Sequence, residues 1–248
     1  RDGKFQLSSL AESGFDPLSR SCRFMLTEEA HHMFVGENGV GRIVERSAQL
    51  SAENDTLDIQ SHGGIPLPII QKWVNFHYSI CLDLFGQEKS TNAANFYSMG
   101  LKGRYMENKI DDDHILENDY FLTPELEGND IVMKEISALT TINERLRNDY
   151  RDDCQKGVDR WNKIISNAGV EFVFTLPHTA FNRNIGTFRG MNFSPEGNHV
   201  SREEFDANCD DWMPNVADRN FVNTLMVPVT EPGKMAGWIS PPSRGIHG

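Results

Sequence analysis

The chain lacks most of what would mark a secreted, membrane-spanning or nucleic-acid-binding protein. Its 248 residues hold four cysteines, Cys22, Cys81, Cys154 and Cys209, far apart and with no Cys-x-x-Cys pair. That excludes a disulfide-stapled miniprotein and a cysteine zinc site, and it predicts free thiols in a reducing cytoplasm. Basic residues are in deficit, 24 Lys and Arg against 36 Asp and Glu, for a net charge of −12. A surface of that sign repels phosphate backbones, so no nucleic-acid partner is expected. No window approaches the ~20 apolar residues of a membrane-spanning helix, and no signal or transit peptide opens the sequence, so no membrane partner is expected. Walker, Gly-x-Gly-x-x-Gly and Gly-x-Ser-x-Gly motifs are all missing, which removes the common signatures of nucleotide binding and serine hydrolysis.

What is present reads as mainly helical. Asp16-Pro17 is a helix start, with the aspartate as cap and proline in the first turn, and apolar positions continue through Leu18, Cys22, Met25, Leu26, Met33 and Phe34 to about Gly36. Gly36, Gly39 and Gly41 predict a kink, with helix resuming to about Leu50, then a polar loop from Ser51 to Pro68. Further helices are expected over Ile69 to Phe85, Thr91 to Leu101 and Arg104 to His114. Two short runs about Glu127-Gly128-Asn129 predict a hairpin between Tyr120 and Ile136. A long amphipathic helix from Leu139 to Asn167 carries Ile142, Leu146, Tyr150, Cys154, Val158 and Trp161 on one stripe. Beyond it come a strand-like Val170 to Leu176, a hairpin about Pro195-Glu196-Gly197-Asn198, and a helix begun by a Ser201 to Glu204 capping box. The expected division is a helical bundle over 1–167, with the helices from Pro17 and Leu139 packed antiparallel, and an irregular α+β cap over 168–248. Arg1 stands where an initiator methionine would, and Pro241 to Gly248 is loop-like, so the machine is expected to be incomplete at either end.

One segment could carry chemistry. Leu26-Thr27-Glu28-Glu29-Ala30-His31-His32-Met33-Phe34 contains Glu-x-x-His in two overlapping registers. Residues three apart on a helix share a face, so a carboxylate and an imidazole at that spacing can hold one metal ion. Composition predicts about 0.6 such pairs by chance; the third, Glu196 to His199, lies in a turn where helical spacing means nothing. The alternative is a solvated face of ordinary ion pairs. Glu29 and His32 share a stripe with Cys22, Met25 and Met33, and Glu28 and His31 share theirs with Phe24 and Val35, so periodicity leaves the register open. Asp112, in Lys109-Ile110-Asp111-Asp112-Asp113-His114, could orient a metal-bound histidine or simply belong to a charged helix end. His77 reads as a buried, hydrogen-bonded core histidine. Lys102, Arg104 and Lys109 are the best basic cluster, able to meet the phosphates of an acyl-CoA or to stand as a solvated face.

Longer stretches point further. Lys4 to Leu18 (KFQLSSLAESGFDPL), Leu26 to Glu37, Asn75-Phe76-His77-Tyr78-Ser79, Gly100-Leu101-Lys102-Gly103-Arg104, Gly157 to Asn162, Phe174 to His178 and Glu231-Pro232-Gly233-Lys234 together resemble the oxygenase component of benzoyl-CoA 2,3-epoxidases. The resemblance covers essentially the whole chain. It implies a ferritin-like di-iron monooxygenase that uses O₂ to convert benzoyl-CoA to its 2,3-epoxide in aerobic aromatic degradation. Electrons would come from a separate NADPH-dependent reductase carrying FAD and iron-sulfur clusters. By the family's motif the iron ligands here are Glu29 and His32, pointing into the bundle, with Glu28 and His31 as neighbours outside the ligand set. The family's other ligands precede the stretch matching Lys4, so this chain would correspond to the C-terminal part, be inactive by itself and hold half a site; Asp2 is not claimed. A related di-iron enzyme acting on phenylacetyl-CoA, or a non-enzymatic helical binding domain, are the alternatives.

Overall fold

A computed structural model describes residues 1–128 and 130–242; Asn129, in the expected hairpin turn, and Ser243 to Gly248 lie outside the described residues. The described chain is mainly α. Four helices form the bundle: α1 (Asp2–Ala11), α2 (Asp16–Asn54), α3 (Leu67–Asp83) and α5 (Ile142–Asn167). Between the last two come α4 (Thr91–Ser98) and a two-stranded antiparallel sheet, β1 (Tyr120–Glu127) with β2 (Asp130–Ser137). Beyond the bundle lie α6 (Arg202–Trp212) and α7 (Val216–Leu225).

Directions follow from who meets whom. Gly3 of α1 lies against Glu29, while Ser19 Oγ donates to Ala11 O at 2.6 Å, so α1 and α2 are antiparallel. Tyr78 stacks on Tyr150 at 5.9 Å and Arg147 Nε donates to Leu82 O at 3.3 Å, so α3 and α5 are antiparallel too. The two long helices, however, run the same way: Glu37 binds Arg160, Gly41 lies against Trp161 and Ile164, and Leu57 shares a groove with Ala168. This corrects the expectation that the helices from Pro17 and Leu139 oppose each other. The connection from α3 through residues 84–141 returns to the end it left, where Ser90 N donates to Thr140 O at 2.9 Å, and α5 therefore repeats the direction of α2.

The core is what the long stripe of α5 demands. Ile142, Leu146, Tyr150, Val158 and Ile165 are buried, and Val158 and Ile165 pack with Val44, Ala48, Leu67 and Ile70. Phe174, Phe221, Leu225 and Trp238 close the same core from beyond the bundle. The first half of α2 is different, because among the described helices α1 is the one that packs along it. Cys22 is buried, but Phe24, Met25, Phe34 and Val35 are exposed.

Several local expectations give way to side-chain chemistry. α2 continues unbroken through Gly36 and Gly39, and Asp16 sits in its first turn while Phe15 is the cap residue. α4 stops at Ser98 because Gly100, at φ +67°, turns the chain and lets Leu101 N donate to Phe96 O. Residues 104–114 hold only a single 3₁₀ turn, Glu107–Lys109. Asp112 and Asp113 there accept bonds from the backbone N–H groups of His114 and Ile115, which competes with helix. Val170 to Leu176 joins no sheet: the Asn162 amide takes both backbone groups of Phe174, at 2.7 and 2.9 Å, and Gln71 does the same for Thr175. His77 is exposed and stacks on Trp73 instead of being buried and hydrogen-bonded. The turn about Gly197 (φ +95°) does form, closed by a Phe193 to His199 bridge, and Ser201 Oγ caps α6 by accepting from Glu204 N at 3.1 Å. α7, with its Asn215 and Asp218 capping box, was not foreseen.

A buried ionic network ties α3, α5 and the 179–187 loop together. Arg147 and Glu88 are each 1% exposed and bonded at 3.2 Å, and Arg183 reaches Glu88 at 3.5 Å and Asp83 at 2.6 Å. Glu88→Ala leaves two guanidinium groups in the interior without their shared carboxylate. It is expected to cost about 3–5 kcal/mol of unfolding free energy, read by urea titration; a loss below about 1 kcal/mol, the value of an exposed pair, would refute that role.

Candidate functional site

Glu29 and His32 sit one turn apart on α2, in the groove with α1. The stripe of Phe24, Glu28, His31 and Val35 faces outward and all four residues are exposed, whereas the Glu29 side chain is 19% exposed. Its place depends on Gly3, because a Cβ there would come within 2.9 Å of the Glu29 carboxyl carbon. Glu29 Oε1 stands 3.7 Å from the Arg1 backbone nitrogen and Oε2 stands 3.7 Å from His32 Nδ1, both beyond hydrogen-bond reach. His32 itself is 68% exposed. It does not point into the interior of the described bundle, as expected, because at i+3 it falls on the shoulder of the α1 contact. Nor does its second ring nitrogen have the expected carboxylate or backbone partner among the described residues.

Near Glu29, Asp153 and Glu37 are engaged by cations, while Glu12 lines the same cavity. Asp153 of α5 takes Lys4 Nζ at 3.2 Å and also Arg1, and Arg1 and Arg160 both bind Glu37. Burial pushes the Asp153 carboxyl up, but the Arg1 and Lys4 charges outweigh it and the net shift is downward. A cavity of about 370 Å³ opens beside Glu29, with Arg23 and Lys109 on its wall and Met33 and Tyr105 against it.

The remaining candidates separate. Asp112 does not approach His32; it binds Arg104 Nη1 at 2.7 Å and the His114 backbone at 3.0 Å. Arg104 is no phosphate clamp, since it is 5% exposed and spent on Glu107 and Asp112. Lys102 bonds Asn143 at 3.3 Å and burial lowers its pKa. Only Lys109 of these three cations is exposed, so they form no common patch. Glu107, which sequence reasoning missed, joins Asp112 and His114 in a cluster with metal-ligand spacing. The cation there is Arg104, which donates to both carboxylates and stands 3.2 Å from His114 Nδ1. The only sequence signal was the Arg104-x-x-Glu107 spacing.

No protein-family profile matches the chain. A curated relative does: benzoyl-CoA oxygenase component B of Aromatoleum evansii is 49% identical over 250 aligned positions, which take in 100% of this chain. The match bears out the resemblance to benzoyl-CoA oxygenase component B. The chain spans 53% of that relative's length. No described helix is long and apolar enough to cross a membrane.

The Arg104 cluster gives a pH prediction. Burial raises the Glu107 carboxyl, but bonds from the Arg104 side chain and backbone and from His114 and Tyr97 bring it down to about 2. A carboxyl depressed in the folded state stabilises above its unfolded value of about 4.3, and that contribution is lost as pH falls towards 2. Amide exchange in the 104–114 segment is therefore expected to quicken between those values before α5 opens. Simultaneous loss of both, or no change in the segment, would refute the assignment.

Proposed function

We propose that this chain supplies part of the metal centre of a benzoyl-CoA oxygenase, with Glu29 and His32 holding iron. The observation that carries the reading is Glu29: a largely buried carboxylate, one turn from an imidazole, with no hydrogen bond among the described residues. Its 49% identity to the oxygenase component supplies the chemistry. Bound iron would bring O₂ activation, with electrons from an NADPH-dependent reductase, for epoxidation of the benzoyl-CoA ring. The fold would be the ferritin-like bundle, residues 168–248 its cap, and the cytoplasm its place of work.

The residues present fit half of such a site. A carboxylate with both oxygens unspent suits a hard cation, and a neutral imidazole adds the nitrogen donor of a carboxylate-bundle iron site. Gly3 admits the Glu29 carboxylate at the α1 surface, and the Arg1 and Lys4 side chains bind Asp153, which leaves Glu29 without a hydrogen-bonded side-chain cation. Exposed Glu28 and His31 lie on the neighbouring stripe. A di-iron centre draws ligands from four helices, so the 248 residues by themselves are expected to hold less than one iron and to form no epoxide.

Anaerobic ferrous loading of the full-length gene product tests this. About two irons per chain are expected, together with epoxide from benzoyl-CoA, O₂, NADPH and reductase; phenylacetyl-CoA turnover instead would move the substrate. Glu29→Ala and His32→Ala should each lower iron affinity by at least about tenfold, and Gly3→Ala, which crowds the carboxylate without removing it, by about the same. Unchanged iron content in Glu29→Ala and His32→Ala would sink the reading. An iron-free, inactive full-length protein would favour a binding domain.

A further inference from the structure

A cavity of about 400 Å³ opens between the 182–192 loop and α6. Arg183, Arg189 and Arg202 line it, together with the carboxamide residues Asn182, Asn184 and Asn192. In a chain of net charge −12, no described acid lines it. Guanidinium and amide groups gathered without a carboxylate favour an anion.

The loop is fastened from beneath. Arg183 is spent on Asp83, Glu88 and the Thr179 carbonyl group, the Asn184 N–H donates to Asp83 Oδ2 at 2.9 Å, and Asn182, at φ +51°, donates to Ser79 Oγ at 3.2 Å. The outer groups are unspent. Arg189 bonds through its backbone N–H, to Gly186 O at 3.2 Å, and its exposed guanidinium holds no carboxylate among the described residues. Arg202 gives only Nε to Asp206, at 2.9 Å, which leaves both Nη groups open. Asn192 is held by its backbone, whose carbonyl oxygen accepts from Val200 N at 3.0 Å, and its carboxamide is free among the described residues. Half-buried Phe205 adds a ring to the wall, fixed by Phe181 at 6.1 Å and Trp212 at 5.6 Å.

The volume suits a ligand larger than a lone phosphate. Guanidinium groups take phosphate oxygens, an aromatic ring takes the face of a base, and an asparagine amide matches the adjacent donor and acceptor on the edge of adenine. We infer that this pocket binds an adenine nucleotide, with its phosphate groups on Arg189 and Arg202 and its base against Phe205. Two sources share that chemistry: a free nucleotide, and the adenosine 3′,5′-bisphosphate end of a coenzyme A thioester. Only the second rests on the proposed function.

Equilibrium dialysis of the full-length protein tests this. Adenosine 3′,5′-bisphosphate is expected to bind with a dissociation constant below about 1 mM. Arg189→Ala and Arg202→Ala should each weaken it about tenfold or more, the worth of a hydrogen bond to a charged group, and Arg189→Lys, which keeps the charge and loses the planar fork, should fall between. The melting temperature of Arg189→Ala should not change, since its guanidinium holds no partner in the fold. Phe205→Leu should weaken the nucleotide about fivefold or more and leave inorganic pyrophosphate binding as it was. Coenzyme A and the 3′,5′-bisphosphate binding ahead of ADP and ATP would name the thioester as the source, and the opposite order a free nucleotide; either order supports the pocket.

No nucleotide binding below about 1 mM would overturn the inference, as would binding indifferent to both arginine substitutions, or pyrophosphate binding as tightly as the nucleotide. Iron loading and epoxide formation with nucleotide binding indifferent to these arginines would remove the inference and leave the proposed function standing. Arginine-dependent nucleotide binding by an iron-free, inactive full-length protein would do the reverse.

Discussion

The contact between Glu88 and the paired guanidinium groups of Arg147 and Arg183 sets the rest of the bundle. Burying these charges is favourable only if their hydrogen-bonding groups are used, and here they are. Arg147 also donates to the carbonyl groups of Leu82 and Gly86, Arg183 to Thr179 and Asp83, and Glu88 accepts from the Thr187 backbone. Such demands allow one register of α5 against α3. That register stacks Tyr78 on Tyr150 and brings Asp153, one turn further along α5, to Arg1 and Lys4 of the first helical segment. α1 is thereby held across α2, and Gly3 comes to rest on Glu29. The candidate metal groove is thus positioned by charges buried at the far end of α5.

Helices whose burial is one-sided were legible in the sequence. The stripe from Ile142 to Trp161 recurs every three or four residues because one face of α5 meets the core, and its inward residues are buried or half-buried. Arg147, in the midst of that stripe, is 1% exposed; its i−3 partner Glu144 looks like an ordinary surface pair in the sequence, and the partners that draw it inside, Glu88 and the Leu82 and Gly86 carbonyl groups, lie 59 to 65 residues away. Val170 to Leu176 alternates like a strand and is extended, but its partners are the side-chain amides of Asn162 and Gln71. Hydrophobic pattern reports burial of an extended chain; it does not report who pairs with its backbone. The direction of α5 relative to α2 was illegible for a related reason, since it depends on the excursion through α4 and the hairpin.

The site was legible to a similar depth. Periodicity left Glu28 and Glu29 equivalent, and what separates them is the close approach of Gly3, a contact 26 residues away in sequence. The same contact turns the exposed stripe of Phe24, Glu28, His31 and Val35 away from α1. Lys102, Arg104 and Lys109 looked like one cluster because they are close in sequence. In an irregular segment closeness in sequence fixes no common face, and the three cations go to an amide, to two carboxylates and to the edge of a cavity.

In a chain with 36 acidic side chains and 24 basic ones, enclosed carboxylates compete for cations, and Glu29 comes away without a hydrogen-bonded one. Glu88, Glu107, Asp83 and Asp153 each hold a guanidinium or ammonium group. Glu29 is nearly as enclosed as these and has none of them within hydrogen-bond distance. The side chains that could have served it, those of Arg1 and Lys4, are drawn off by Glu37 and Asp153, and the nearest ring nitrogen, on His32, is itself a metal ligand by type. Under the proposed function, an enclosed acid with no hydrogen-bonded cation and an imidazole one turn away is the one that a metal ion would take.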